Sequence, residues 1–369
     1  MKILKLTLVA LFAISMFSCQ KEPVLNSEAD IIAMTLPEGV LIRDLVITND
    51  KISGTANRGT DLSKLVPTFT LTKGATIDYV AGTEVDFTNE VSYTVTSENK
   101  KHKKIYTISI ILFTESSVYE FEVAKQNTYK DSWTGEDRTY PFYDFYEGEM
   151  LWGSPNSGYY LAQSIGGNND LKPADFPTSQ TNDGKNGNAV VMITRSTGAM
   201  GAAWKAPIAA GSIFNGVFEL NIMDQAKSAK FGTPYTNIPV AFKGFYKFKA
   251  GAENKDQSGN AVAKKDRFDV YAVMFETSEE LEYLDGTNSL SHPNIVMIAR
   301  IAEESCKEID EWTEFNIPFV TLEGKSIDAE KLAAGKYSLA LIFTSSVNGN
   351  IYEGTVGSTL YIDSVEILY

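Results

Sequence analysis

Apolar residues recur at every second position along most of this chain, and that spacing commits it to β-strands. Val91, Tyr93 and Val95 alternate with Ser92, Thr94 and Thr96; Tyr106, Ile108 and Ile110 alternate with Thr107 and Ser109; Phe69 and Leu71 stand between Thr68, Thr70 and Thr72. Successive side chains of an extended backbone point to opposite faces, so each such row buries one face and wets the other. Phe315, Ile317 and Phe319 repeat the pattern among Glu314, Asn316 and Pro318, and residues 268–275 form an apolar run suited to a strand covered on both faces. Residues 337–343 and 359–368 read as two further strands. Helical spacing is confined to 278–284 and 326–333, each long enough for a short helix only. The expected fold is therefore all-β.

The strands fall into two groups. Residues 27–115 carry short alternating segments separated by turn signals such as Asn49-Asp50, Asn57-Arg58-Gly59 and Glu98-Asn99, which fits a seven-strand immunoglobulin-like β-sandwich. The run Asp86-Phe87-Thr88-Asn89-Glu90-Val91-Ser92-Tyr93-Thr94-Val95, followed by Lys104-Ile105-Tyr106-Thr107-Ile108, resembles the Ig-like modules that follow the anchor in Bacteroidetes surface lipoproteins. Past the polar junction Glu115-Ser116-Ser117, residues 116–369 have larger strands and longer loops, as expected of one jelly-roll β-sandwich.

The start of the chain says where it works. Lys2 and Lys5 precede an apolar run over 6–17, too short to span a bilayer as a helix, and Ser18-Cys19 closes it. This resembles a lipoprotein signal peptide over 1–18, with Cys19 the lipidated new N-terminus and 19–26 an anchor and linker. Met16 and Phe17 are bulkier than the residues usual at such a site. Gln20-Lys21-Glu22 resembles the charged tag of surface-exposed Bacteroidetes lipoproteins, which implies an outer-membrane protein facing the cell exterior. With 33 basic against 47 acidic residues the net charge is −14, which repels nucleic acid and leaves neutral ligands such as glycans as the better fit. Cys19 and Cys306 are the only cysteines, so with Cys19 lipidated Cys306 has no partner and reads as a buried thiol. His102 and His292 alone exclude a multi-histidine zinc site.

Five ordered motifs give a more specific resemblance. They are Asp183-Gly184-Lys185-Asn186-Gly187-Asn188-Ala189-Val190, Ala209-Ala210-Gly211-Ser212-Ile213-Phe214-Asn215-Gly216, Lys243-Gly244-Phe245-Tyr246-Lys247-Phe248-Lys249, Trp312-Thr313-Glu314-Phe315-Asn316-Ile317-Pro318-Phe319, and Gly354-Thr355-Val356-Gly357-Ser358-Thr359-Leu360-Tyr361-Ile362-Asp363. Together they resemble the putative carbohydrate-metabolism domain of Bacteroidetes lipoproteins. The resemblance implies a jelly roll similar to carbohydrate-binding modules and carries no agreed catalytic residues.

The chemistry points to sugar binding. Residues 133–160 gather Trp133, Tyr143, Trp152 and six further aromatics among Gly, Pro, Asn and Asp. Pyranose rings present apolar C–H faces rimmed by hydroxyls, a surface met by aromatic platforms with polar neighbours. Trp133, Tyr143, Trp152 and Asn156 are the expected carbohydrate-binding residues, with Trp204 added; the turn-rich 153–158 segment is expected to keep Trp152 on an accessible loop. The alternative for each ring is core packing. Hydrolysis by a glycoside hydrolase or lyase would need a carboxylate pair, and Asp144, Glu147 and Glu149 are the only cluster to screen. A third use is docking with outer-membrane glycan uptake proteins. Finally, alternation through Tyr361-Ile362-Asp363-Ser364-Val365-Glu366-Ile367 puts Asp363 on the face of Tyr361, Val365 and Ile367, where a bare carboxylate is costly. It either accepts backbone N–H bonds at a bulge or, with Glu122 and a Gly184 carbonyl, holds a structural Ca²⁺, as in the calcium-binding jelly-roll modules that Phe121-Glu122 and Asp363 resemble.

Overall fold

Each alternating row pairs with a neighbour that buries the same face. The computed structural model describes residues 25–41, 45–57, 60–112, 118–130 and 136–369. Residues 1–18, read as a leader, and Cys19 and Trp133 lie outside the described residues. In the first sandwich Ile31–Thr35 pairs with Thr68–Leu71. The facing sheet runs in the order Val46–Ile47, Lys51–Ala56, Lys103–Leu112, Val91–Thr96, Thr76–Ile77, with the Lys51–Ala56 and Lys103–Leu112 strands parallel. Its core holds Ile31, Ile52, Phe87 and Val95 together with Tyr106, Ile108 and Ile110, the row that the alternation marked.

The second sandwich stacks a ten-stranded on a six-stranded sheet. The larger is ordered Val320–Thr321, Ile295–Arg300, Asp269–Glu276, Tyr337–Thr344, Ser212–Phe218, Met150–Gly153, Asp144–Glu147, Val123–Lys125. The smaller is ordered Thr178–Thr181, Ala189–Ile193, Thr359–Leu368, Ala241–Lys249, Ile309–Pro318. Val270, Ala272 and Met274 face Phe242, Phe248, Leu360 and Ile362 in the core between the sheets. The intervening residues Tyr271, Val273 and Phe275 look the other way, into a second apolar cluster with Phe214, Phe231, Leu284 and Ile342. Both faces of the central strand are thus covered, as its unbroken apolar run requires.

Helix placement departs from the periodicity. Helix α1 (Asn156–Ile165) begins inside the segment read as a turn-rich loop, helix α2 (Gly198–Ala203) was not read from the sequence, and 278–284 is not helical; α3 (Ala329–Ala333) lies within the expected 326–333. In α1 the buried residues Asn156, Tyr159 and Ala162 are spaced by three, one side of a helix turned inward. Pro155 precedes it, where a missing N–H does no harm. Among the described residues no helix is long and apolar enough to cross a membrane.

Candidate functional site

The cavity lies on the outer face of the ten-stranded sheet, and register builds its floor. Asp269 pairs with Thr344 and Thr344 with Ser212; one step along, Arg300, Tyr271, Ile342, Phe214 and Gly153 stand side by side. Gly153 is needed there, because a Cβ would meet the Phe214 ring at 2.3 Å. Phe214 is held edge-to-face by Phe231, ring centroids 4.8 Å apart. The walls come from α1, from α2 with Trp204, from the 218–229 segment, and from the turns at 286–290 and 347–352. The cavity, open at its mouth, has a volume of about 240 Å³.

Hydrogen bonds lock the rim loops to one another. Gly286 N–H donates to Ala226 O (2.9 Å), Asn350 Nδ2 to Gly286 O (2.8 Å), and the Tyr352 hydroxyl to Gln225 Oε1 (2.8 Å). Tyr352 sits in the left-handed region (φ 60°), at an intrinsic cost of ~1 kcal/mol or more that the surrounding bonds must offset. Burial pushes its hydroxyl up to about 12, so it stays a neutral donor at physiological pH. Trp204, Phe218 and Tyr352 are half-buried rings lining the cavity, and Leu220, Ile222 and Leu290 are exposed aliphatic side chains in the same lining.

Asp269 carries the only carboxylate among the described lining residues. Its side chain is 2 % exposed and accepts from Arg300 through Nε at 3.2 and 3.0 Å and through Nη2 at 2.6 Å. Burial raises the carboxyl above its ordinary value, with the Arg300 guanidinium opposing the rise, and the contacts to Nε and Nη2 hold the two side chains as a pair. Tyr271 bonds the Ser289 hydroxyl at 3.0 Å, and burial raises its hydroxyl well above the usual tyrosine range. Behind the wall, Asp266 Oδ2 accepts from Ser346 Oγ (2.7 Å), Ser358 Oγ (2.7 Å) and Thr355 N (2.9 Å), which closes the sheet end under the 346–358 loop.

Of the expected sugar contacts among the described residues, Trp204 alone lines this cavity. Trp152 is 2 % exposed on the Met150–Gly153 strand, packed against Tyr119, Phe121 and Phe343, and its Nε1 has no acceptor among the described residues. It is a core residue, because the turn-rich sequence after it starts a helix rather than an exposed loop. Asn156 is fully buried; it accepts from Thr178 N (3.1 Å) and donates to Thr178 O (2.8 Å), tying α1 to the neighbouring strand. Tyr143 packs half-buried against the main core. Asp144 and Glu147 do not form a carboxylate pair. Alternation along Asp144–Glu147 sends them to opposite faces, Asp144 bonded by Asn127 Nδ2 (2.6 Å) and Glu147 accepting from Glu120 N (3.0 Å). Glu149 is exposed in the turn beyond Gly148. The lining residues Phe218, Tyr271 and Tyr352, and the Asp269–Arg300 pair, went unread in the sequence because they come from four distant segments.

The alternation through Asp363 breaks at Ser364, whose φ of 48° marks a register slip against Ala241–Lys249. Asp363 therefore shares a side with Tyr361 but not with Val365 and Ile367. Its Oδ2 accepts from Lys185 N (2.6 Å) and Asn186 N (3.0 Å), and its Oδ1 from Ser364 N (2.7 Å). Glu122 is turned to Asn188, accepting from its N (3.0 Å) and Nδ2 (2.9 Å), and Gly184 closes a turn with Gly187 O (3.2 Å). Asp363 and Glu122 are each met by N–H groups, and no three His, Cys, Asp or Glu side chains converge among the described residues. The arrangement does not fit a calcium cage. Cys306 is half-buried near Phe268 O and the Arg267 guanidinium, and burial raises its thiol, as suits an inert residue.

No curated protein matches the chain. A crystal structure described as a putative glycoside hydrolase from Bacteroides thetaiotaomicron is 42% identical, covering 95% of this chain and 99% of its own, with a TM-score of 0.82. Another, described as a putative glycoside hydrolase from Bacteroides vulgatus, is 34% identical over 69% of this chain and 99% of its own, with a TM-score of 0.60. The family model described as "SGBP, N-terminal" matches residues 31–110. The model described as "Putative carbohydrate metabolism domain" matches residues 120–368, and the chain belongs to that family.

Proposed function

We propose that this is a cell-surface lipoprotein, anchored in the outer membrane through Cys19, that binds an oligo- or polysaccharide at the mouth of the cavity without cleaving it. Both family matches support a carbohydrate ligand. The observation that carries the non-catalytic reading is the isolation of Asp269. Glycosidases work with two carboxyls, ~5–5.5 Å apart for retention or ~6.5–9.5 Å for inversion. Here the single carboxylate among the described lining residues is committed to Arg300. The half-buried rings of Trp204, Phe218 and Tyr352 on a prelocked rim offer stacking without the entropy of ordering loops.

A second reading has support in the names of the two Bacteroides relatives, each a putative glycoside hydrolase. One experiment separates the two. The protein, freed of its lipid anchor, is screened on a glycan array, titrated against the selected polysaccharide, and the mixture assayed for new reducing ends. Saturable binding without new ends supports the binding reading. New ends that vanish in Asp269→Asn would replace it with hydrolysis.

A further inference from the structure

We infer that the depth of the cavity receives an apolar substituent, so that the ligand is a glycan bearing an aryl or acyl group, with the substituent inside and the sugar on the rim. This rests on the glycan-binding reading and specifies its ligand. The inner surface is formed by Phe214, Phe231, Tyr271, Ile342, Ile208 and Ala162, all buried. Five of the polar side chains that line it already have partners within the protein. Tyr271 bonds Ser289 (3.0 Å), Thr344 donates to Ser346 O (3.2 Å), Ser346 donates to Asp266 (2.7 Å), Thr197 donates to Ala206 O, and Asp269 holds Arg300. A bare sugar placed there would exchange water for an apolar wall, at ~1–3 kcal/mol for each hydroxyl left unpaired. A hydrocarbon group loses nothing on entering and is removed from water.

Size agrees with this. An apolar cavity of ~150 Å³ accepts benzene, so the ≈ 240 Å³ here holds an aromatic ring with a short linker, or an acyl chain of several carbons. The mouth differs from the depth: Asn350 is exposed and Gln225 half-buried, beside the rings of Trp204 and Tyr352. The exposed side chains of Leu220, Ile222 and Leu290 extend the apolar surface to the entrance. A glycan with an apolar substituent matches both parts at once.

The test uses matched probes on the full-length protein freed of its lipid: methyl and 4-methylumbelliferyl glycosides of glucose, galactose, xylose and mannose, with free 4-methylumbelliferone as control. In at least one sugar series the aryl glycoside is expected to bind tenfold or more tighter than both the methyl glycoside and the free aryl group. That advantage should be lost in Ala226→Trp, which plugs the mouth from a half-buried wall position, and in Ala210→Leu, which fills the cavity from a different segment. Thermal unfolding identifies a plug variant that has not folded, and the other then carries the comparison. Equal affinity for aryl and methyl glycosides overturns the inference; if polysaccharide binding then persists and is blocked by Ala226→Trp, the glycan-binding reading survives it. Free 4-methylumbelliferone binding as tightly as its glycosides would show a site for apolar molecules without a sugar subsite, and overturns both.

Discussion

Replacing Trp152 with alanine separates a core indole from a sugar platform, and the structure fixes the magnitude. The side chain is 2 % exposed and makes ring contacts at centroid distances of 5.3 Å to Tyr119, 5.1 Å to Phe121 and 6.3 Å to Phe343. Truncating a buried Trp or Phe to Ala costs about 3–5 kcal/mol through lost transfer energy and the cavity left behind. The indole N–H has no acceptor among the described residues, a penalty of ~1–3 kcal/mol that truncation returns. The expected net loss is therefore at the low end, about 3 kcal/mol, or a fall in Tm of roughly 6–12 °C at ~2–4 °C per kcal/mol for a domain of this size. Trp152→Phe keeps most of the ring and removes the orphan donor, so it should change stability by less than ~1 kcal/mol. Urea unfolding followed by far-ultraviolet circular dichroism, together with a glycan titration of each folded variant, measures both effects. A Trp152→Ala protein as stable as the parent but weaker for glycan would refute the core assignment.

Other consequences are open to the same methods. Trp204→Ala should weaken glycan binding roughly tenfold, taking stacking as on the order of 1–3 kcal/mol, with Tm nearly unchanged because the ring is half-buried; unchanged affinity would move the sugar off this rim. Asn215 donates to Thr233 Oγ1 and Leu339 O (both 2.8 Å) and accepts from Leu341 N (2.6 Å), so Asn215→Leu strands two buried backbone groups and should cost about 2–4 kcal/mol in urea unfolding. Burial raises the Asp266 carboxyl against its hydrogen bonds, so the folded chain holds that proton more tightly than the unfolded one. Its contribution is present below the unfolded value, near pH 4, and is lost as pH rises through the folded one. The Tm of the parent relative to Asp266→Asn should therefore rise from pH 7.5 to 4.5, and a fall would show the sign to be wrong. Because amide donors meet Asp363, Tm should be the same in EDTA and in millimolar calcium, while Asp363→Ala should lower it by loosening the 183–188 turn. A calcium-dependent Tm abolished in that variant would restore the metal.

Alternation by itself determined the all-β class and much of the core, because period two leaves a folded chain few choices about which residues turn inward. Val95, Tyr106, Ile108, Ile110 and the covered 268–275 run were legible for that reason. The family resemblance was legible in ordered motifs. What the sequence did not determine was anything that depends on pairing between distant segments. Whether Trp152 packs or protrudes depends on a strand partner, Asn215, more than sixty residues away. The face of Asp363 depends on a single left-handed residue, Ser364, that slips the register by one and reverses the row beyond it. The α1 helix was hidden because Gly158 and two tyrosines weaken its local signal, while Asn156, Tyr159 and Ala162 gain their stability from the walls they pack on. The cavity is the extreme case. Ser212, Asp269 and Thr344 share a row only because antiparallel register aligns three strands, and no local pattern encodes that alignment.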